Sequence, residues 1–267
     1  MLERVLKRDR SLVLLGLAAI AGLAWIYIAY LAASMPDMDT GSMGSATETV
    51  MPQLRPWGIA DVVLTFIMWG VMMVAMMVPS VAPMVLLFAT LNRKRHESSS
   101  PYVPTVFFLL GYLLVWAGFS AGATGLQWGL HSAALLSPMM VATSPLLGGG
   151  LLAAAGVFQF TPLKRTCLRH CRSPLHFLLG EWDDGEWGAL AMGVRHGSYC
   201  VGCCWILMVL LFVAGVMNLL WVAAITVFVL VERVLPAGEL VGRLAGVVLI
   251  VAGFLVGGGM LPVTDAR

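Results

Sequence analysis

The chain has 267 residues, of which 60% are hydrophobic and only 11% charged, with a formal net charge of +2; its mean hydropathy is +0.90. A soluble domain carries about 25% charged residues, so the composition excludes that class and predicts an all-α integral membrane protein. It also argues against nucleic-acid binding, because the few basic residues form no stripe with interleaved aromatics.

Residues 1–11 read as a charged cytoplasmic tail, Leu2-Glu-Arg-Val-Leu-Lys-Arg-Asp-Arg10. Such a start resembles that of a signal peptide, but the apolar run after it is long and no Ala-x-Ala site follows cleanly. It is therefore read as part of a retained helix, and residues 12–267 as a single polytopic domain. Apolar stretches near the ~20 residues that a bilayer crossing needs fall at 12–34, 60–90, 104–130, 145–163, 190–214, 218–235 and 243–262. They predict a bundle of seven spans, the fifth of which begins without a sharp polar boundary.

Basic residues collect on alternate connections. Arg4, Lys7, Arg8 and Arg10 precede the first span; Arg93, Lys94 and Arg95 follow the second; Lys164, Arg165, Arg169 and Arg172 follow the fourth; Arg233 and Arg243 flank the turn after the sixth. Cytoplasmic loops carry such an excess, which places the N-terminus and these segments inside and the C-terminus outside. The outer loop 35–57, with Met35, Met38, Met43 and Met51 among Pro, Gly, Ser and acids, reads as an irregular arm.

The second span contains Met68-Trp-Gly-Val-Met-Met-Val-Ala-Met-Met-Val-Pro-Ser-Val-Ala-Pro-Met84. Residues four apart share a helix face, so Met68, Met72 and Met76 form one row, with Met73 and Met77 beside it. A thioether is a soft, neutral ligand suited to Cu(I), but methionine is also an adaptable core filler, and the rows alone do not choose between these roles. Pro79 and Pro83 are expected to end or kink the helix.

All five cysteines lie between positions 167 and 204. Cys167 and Cys171 flank His170 in what reads as a cytoplasmic loop over 164–189. His196, Cys200, Cys203 and Cys204 fall at i, i+4, i+7 and i+8 of the fifth span, on one helical face. If the two groups converge, they supply a thiolate and imidazole set fit for Cu(I), or for Zn²⁺ as a closed tetrahedral site. Arg169, Arg172 and Arg195 are the nearby cations expected to favour the thiolates. The Cys200-x-x-Cys203 spacing also occurs in redox motifs, but the surrounding β-α-β pattern is absent.

Asp61, Gln127, His131 and Asn218 are polar residues in or beside apolar spans, where such residues are often functional; a proton-relay role for Asp61 or Glu232 stays open, and Glu232 beside Arg233 reads as an interface pair. Gly242-x-x-x-Gly246 and Gly253-x-x-x-Gly257 have the spacing of closely packed helices, here read as contacts within the chain. There is no phosphate-binding loop, nucleophile elbow or paired-His protease motif, and no catalytic residue is assigned.

Met68-Trp-x-x-Met-Met-x-Ala-Met-Met-x-Pro79, Pro162-Leu-Lys-x-x-Cys-Leu-x-His-Cys-Arg-Ser-Pro174, Gly193-x-Arg-His-Gly-x-Tyr-Cys-x-Gly-Cys-Cys-Trp205 and Met217-Asn-Leu-x-Trp221 together resemble the bacterial predicted metal-binding integral membrane proteins, a family defined by a domain of unknown function. The resemblance runs from about position 60 to 236 and implies a polytopic protein of the bacterial inner membrane that binds metal.

Two readings result. In the first, the protein handles a soft metal, Cu(I) before Zn, by binding or transport. Its metal-ligating set is Cys167, His170, Cys171, His196, Cys200, Cys203 and Cys204 with Met68, Met72 and Met76, and it exchanges the ion with a periplasmic or cytoplasmic metal carrier. In the second, it is a non-transporting scaffold or a redox or metal sensor with a structural Zn site, and its methionines line no path to the cysteines.

Overall fold

The computed structural model describes residues 2–34, 57–95, 102–133, 144–216 and 218–260, and among these it is helical with no strand. The helices are α1 (Leu2–Ser34), α2 (Ile59–Arg95), α3 (Tyr102–Ser132), α4 (Pro145–Phe158), α5 (Pro162–Arg172), α6 (Pro174–Gly180), α7 (Gly185–Val209), α8 (Leu211–Ala214), α9 (Leu219–Val234) and α10 (Gly238–Gly257). The outer-loop methionines Met35, Met38, Met43 and Met51, together with Met217, lie outside the described residues.

Short polar signals set the ends of these helices. The Asp61 carboxylate accepts from the Gly58 N–H at 2.8 Å, as the third residue of a capping box does, and Arg93, Lys94 and Arg95 meet the negative end of the α2 dipole. Ser144 and Thr161 cap α4 and α5, each followed by proline at the first helical position. Asn218 caps α9 by accepting from the Leu220 and Trp221 N–H groups. Asp61 and Asn218 thus have structural partners at helix starts.

Five helices are long and apolar enough to cross a membrane, or six if α4 and α5, bent by 62° at their junction, count as one broken span. The sequence predicts seven, and the difference lies in α4 and α9. They have 14 and 16 residues, so at 1.5 Å per residue they reach only about 21 and 24 Å against a hydrocarbon thickness of about 30 Å. α4 stops at Phe158 because Pro162 cannot continue its ladder and Thr161 caps a new helix instead. The segment expected as a loop at 164–189 is mostly helix, and α7 begins at Gly185, earlier than the sequence boundary at 190. The charged tail continues into α1 without a break.

α2 and α7 are the most buried long helices, while α1 and α10 lie outermost. α1 packs along α2, α2 on α3, α3 along α7, and α4 on α10. Glycines set the closest approaches. A Cβ on Gly111 would strike the Leu190 carbonyl, and one on Gly193 the Phe108 carbonyl, so α3 and α7 touch backbone to backbone. Gly149 and Gly156 meet Gly253 and Gly246 in the same way, so the small-residue faces of α10 serve packing within the chain. Outward faces stay apolar, with Leu15, Leu23, Ile26, Leu244, Val248 and Phe254 exposed. An apolar surface of this extent is abnormal for a protein in water and compatible with membrane insertion.

The basic segments share one end of the molecule. Arg93 pairs with Asp9 at 2.7 Å, and Tyr102 donates to the same carboxylate at 2.6 Å, which ties the starts of α1 and α3 to the end of α2. The Arg95 guanidinium lies over the Trp182 ring, and Arg172 donates to the Leu235 and Pro236 carbonyls at the end of α9.

Candidate metal centre

Pro79 and Pro83 stand inside α2, which continues past both of them, so of the two expectations, an end or a kink, the end is excluded. Proline at 79 removes the N–H that would bond to the Ala75 carbonyl, and the Trp25 indole of α1 takes its place, donating to that oxygen at 3.1 Å. α1 thereby supports the helix where its own ladder fails.

The methionine rows face the interior. Met72, Met73, Met76, Met77 and Met84 are buried, as is Met68 nearer the start of the helix. Trp69, beside Met68, donates to Gln127 at 2.7 Å and borders an apolar cavity of about 200 Å³ formed with Phe119, Trp205, Met208 and Phe212. Gln127 is thus held by an indole, whereas His131 stands against Trp57 with ring centroids 5.6 Å apart.

At the other end, Met77 adjoins the cysteines. Its carbonyl accepts from the Ser80 hydroxyl at 2.8 Å and from the Tyr112 hydroxyl at 3.4 Å, and its Sδ lies 4.0 Å from Ser80 Oγ. One hydroxyl reaches a thiol and the other the arginine beside it. Tyr112 Oη is 3.0 Å from Cys200 Sγ, and Ser80 Oγ accepts from Arg233 Nη1 at 2.6 Å.

Arg233 is the cation of the site. Its Nη2 lies 2.8 Å from Cys200 Sγ, 3.5 Å from Cys203 Sγ and 3.7 Å from Cys204 Sγ. The arginines chosen from sequence are engaged elsewhere: Arg172 with the backbone carbonyls after α9, Arg195 with Glu181 at 3.1 Å, and Arg169 on an exposed face. Glu232 and Arg233 are not a pair either. Adjacent on α9, they diverge, Glu232 turning to Lys164 Nζ at 2.6 and 2.9 Å, where the ammonium also meets Gln159 Oε1.

α5 and α7 bring the two cysteine groups together. α5 packs along α7, and Cys167 Sγ lies 2.7 Å from where a Cβ on Gly202 would stand. Cys203 and Cys204 both point their thiols at the Cys200 carbonyl, at 3.1 and 3.0 Å, and all five cysteines are free. His196 is buried one turn before Cys200, among the rings of Phe108, Tyr112 and Phe177, and its Nδ1 has no hydrogen-bond partner. His170 turns away and stacks on Tyr199 at 4.2 Å while its Nδ1 lies 2.9 Å from the Thr166 carbonyl.

Among the described residues, no three His, Cys, Asp or Glu side chains are already arranged around a metal position. The donor chemistry nevertheless fits a soft ion: buried thiols and, one turn before Cys200, a buried imidazole nitrogen without a partner among the described residues. Sequence reasoning missed Ser80, Tyr112 and Arg233. Arg233 carried a signal, as a charge at the end of an otherwise apolar helix; Ser80 and Tyr112 carried none.

The fold and the site define a class, a bundle of long apolar helices with sulfur side chains gathered around a buried guanidinium. The family is narrower. Residues 66–256 match the PpoB2 family, described as a copper chaperone, and the chain belongs to it. Its function is accordingly related to copper, which refines the metal relation expected from sequence. No curated protein and no solved structure matches the chain.

Proposed function

We propose that the protein is a multi-pass protein of the bacterial inner membrane that binds Cu(I) as cargo, with its N-terminus in the cytoplasm. The ion enters along the methionine rows and is held by Cys200 and Cys203, with Cys171, Cys204 and His196 close by. Family membership supports copper, and the lengths and apolar faces of α1, α2, α3, α7 and α10 support the membrane.

One observation carries the reading. The buried methionine rows run to Met77, whose backbone carbonyl accepts from Ser80 and Tyr112, and these two hydroxyls meet Arg233 at 2.6 Å and Cys200 at 3.0 Å. Thioethers bind more weakly than thiolates, and successive weak sites let an ion move where one strong site would hold it. The direction is therefore inward, toward the thiols at the basic end, where a carrier protein exchanges the ion. Three of the thiols lie within two turns of one helix, which suits the low coordination of Cu(I) better than a closed zinc tetrahedron.

Elemental analysis of the detergent-purified protein, after growth with copper and zinc both supplied, tests this. Copper should copurify with the wild type and vanish when all five cysteines are changed to serine. Zinc in its place would favour a structural site.

A further inference from the structure

Arg233 is a buried cation whose partners among the described residues include no carboxylate. Its guanidinium contacts Ser80 and three thiols, its Nε is buried without a partner, and the neighbouring Glu232 carboxylate is committed to Lys164. Arginine does not give up its proton in a protein, and an uncompensated buried charge is costly. The counter-charge must come from the sulfur side.

We infer that Arg233 sets the valence of the ion this site accepts, favouring a monovalent ion over a divalent one; the inference rests on the copper reading above and deepens it. Two thiolates around a monovalent ion carry one negative charge, which Arg233 cancels. Around a divalent ion the same two thiolates carry none, and the guanidinium is left uncompensated in an apolar interior. A divalent ion restores the balance only by recruiting a third thiolate, and as zinc it also needs a fourth ligand to complete a tetrahedron. Arg233 Nη2 lies within 3.7 Å of Cys200, Cys203 and Cys204 together, so an ion that gathered all three thiolates would bring its double charge against the guanidinium. Cu(I) is satisfied by two of the sulfurs and needs no third. Arg233 acts through the thiols, so it is a positioning and specificity residue.

The test is a competition measurement on the full-length protein in detergent, with cuprous ion and Zn²⁺ each buffered by a chelator. Arg233→Leu should lower Cu(I) affinity and move the Cu(I)-to-Zn²⁺ preference toward zinc by about tenfold or more, as expected for removal of one partner of a buried charge pair. Arg233→Lys, which keeps the charge and loses the fork, should retain the wild-type preference and serves if the leucine variant does not fold. A preference unchanged in Arg233→Leu, equal weakening for both ions, or a preference lost in Arg233→Lys would each overturn the inference. The underlying reading fails separately: Cys200→Ser with Cys203→Ser would then bind Cu(I) as tightly as the wild type.

Discussion

Arg233 Nη2 on α9 and Cys200 Sγ on α7 lie 2.8 Å apart, although 33 positions separate them in the chain. The contact joins the last turn of an apolar helix to the most enclosed stretch of α7, and it gives the guanidinium a partner where the neighbouring carboxylate, Glu232, is taken by Lys164. The following predictions concern the thiols, the thioethers and the packing that places them.

The cysteines should not contribute equally. Cys200→Ser with Cys203→Ser is expected to abolish copper binding, whereas Cys167→Ala should leave the stoichiometry unchanged, because its Sγ packs against Gly202. Metal content per protein, measured by mass spectrometry of the purified variants, separates the two outcomes.

The methionine rows should matter for movement more than for folding. Leu and Met have similar volumes, and such swaps in a core usually cost less than about 1.5 kcal/mol. Met72→Leu with Met76→Leu should therefore leave expression and thermal unfolding close to the wild type while slowing copper loading. Loading as fast as in the wild type would reduce the buried thioethers to packing.

Lys164 and Glu232 are both buried and paired at 2.6 Å. Removing one partner of such a pair costs about 3–5 kcal/mol, whereas replacing both with apolar groups of similar volume is often neutral. Lys164→Met alone should lower the unfolding temperature in detergent markedly, and the double variant Lys164→Met, Glu232→Leu should recover most of the loss. If the single variant unfolds as the wild type does, the pair does not hold the α4–α5 break against α9.

The α3–α7 contact admits no side chain at its closest points. Gly193→Ala would press a Cβ onto the Phe108 carbonyl, and overpacking of this kind costs about 1–3 kcal/mol. Gly118→Ala in α3 meets nothing within 4 Å and should stabilise slightly, since glycine inside a helix is about 0.5–1 kcal/mol worse than alanine. Thermal unfolding of both variants checks the difference in sign.

The helical class, the long spans and the candidate sulfurs were legible because apolar length and a 3.6-residue period are local properties. Met68, Met72 and Met76 share a face in any helix, so their row could be read before knowing what it meets. What Arg233 faces could not. Its place beside Cys200 depends on how α9 crosses α7, and the neighbouring Glu232 suggested a local pair that the structure resolves into two separate partnerships. The approach of Cys167 to Gly202, beside Cys203, was foreseeable only as a possibility of topology, because it depends on α5 folding back as a helix where composition suggested a loop. That α2 would continue past Pro79 was hidden for a similar reason: the Trp25 indole that satisfies the Ala75 carbonyl comes from a helix 50 residues away.

The most direct measurement is Cu K-edge X-ray absorption on the Cu(I)-loaded protein, wild type beside Cys200→Ser with Cys203→Ser. A low-coordinate Cu(I) shell dominated by sulfur in the wild type, lost in the variant, is the predicted result. A shell of nitrogen or oxygen alone, or the same spectrum from both proteins, would contradict the thiol site.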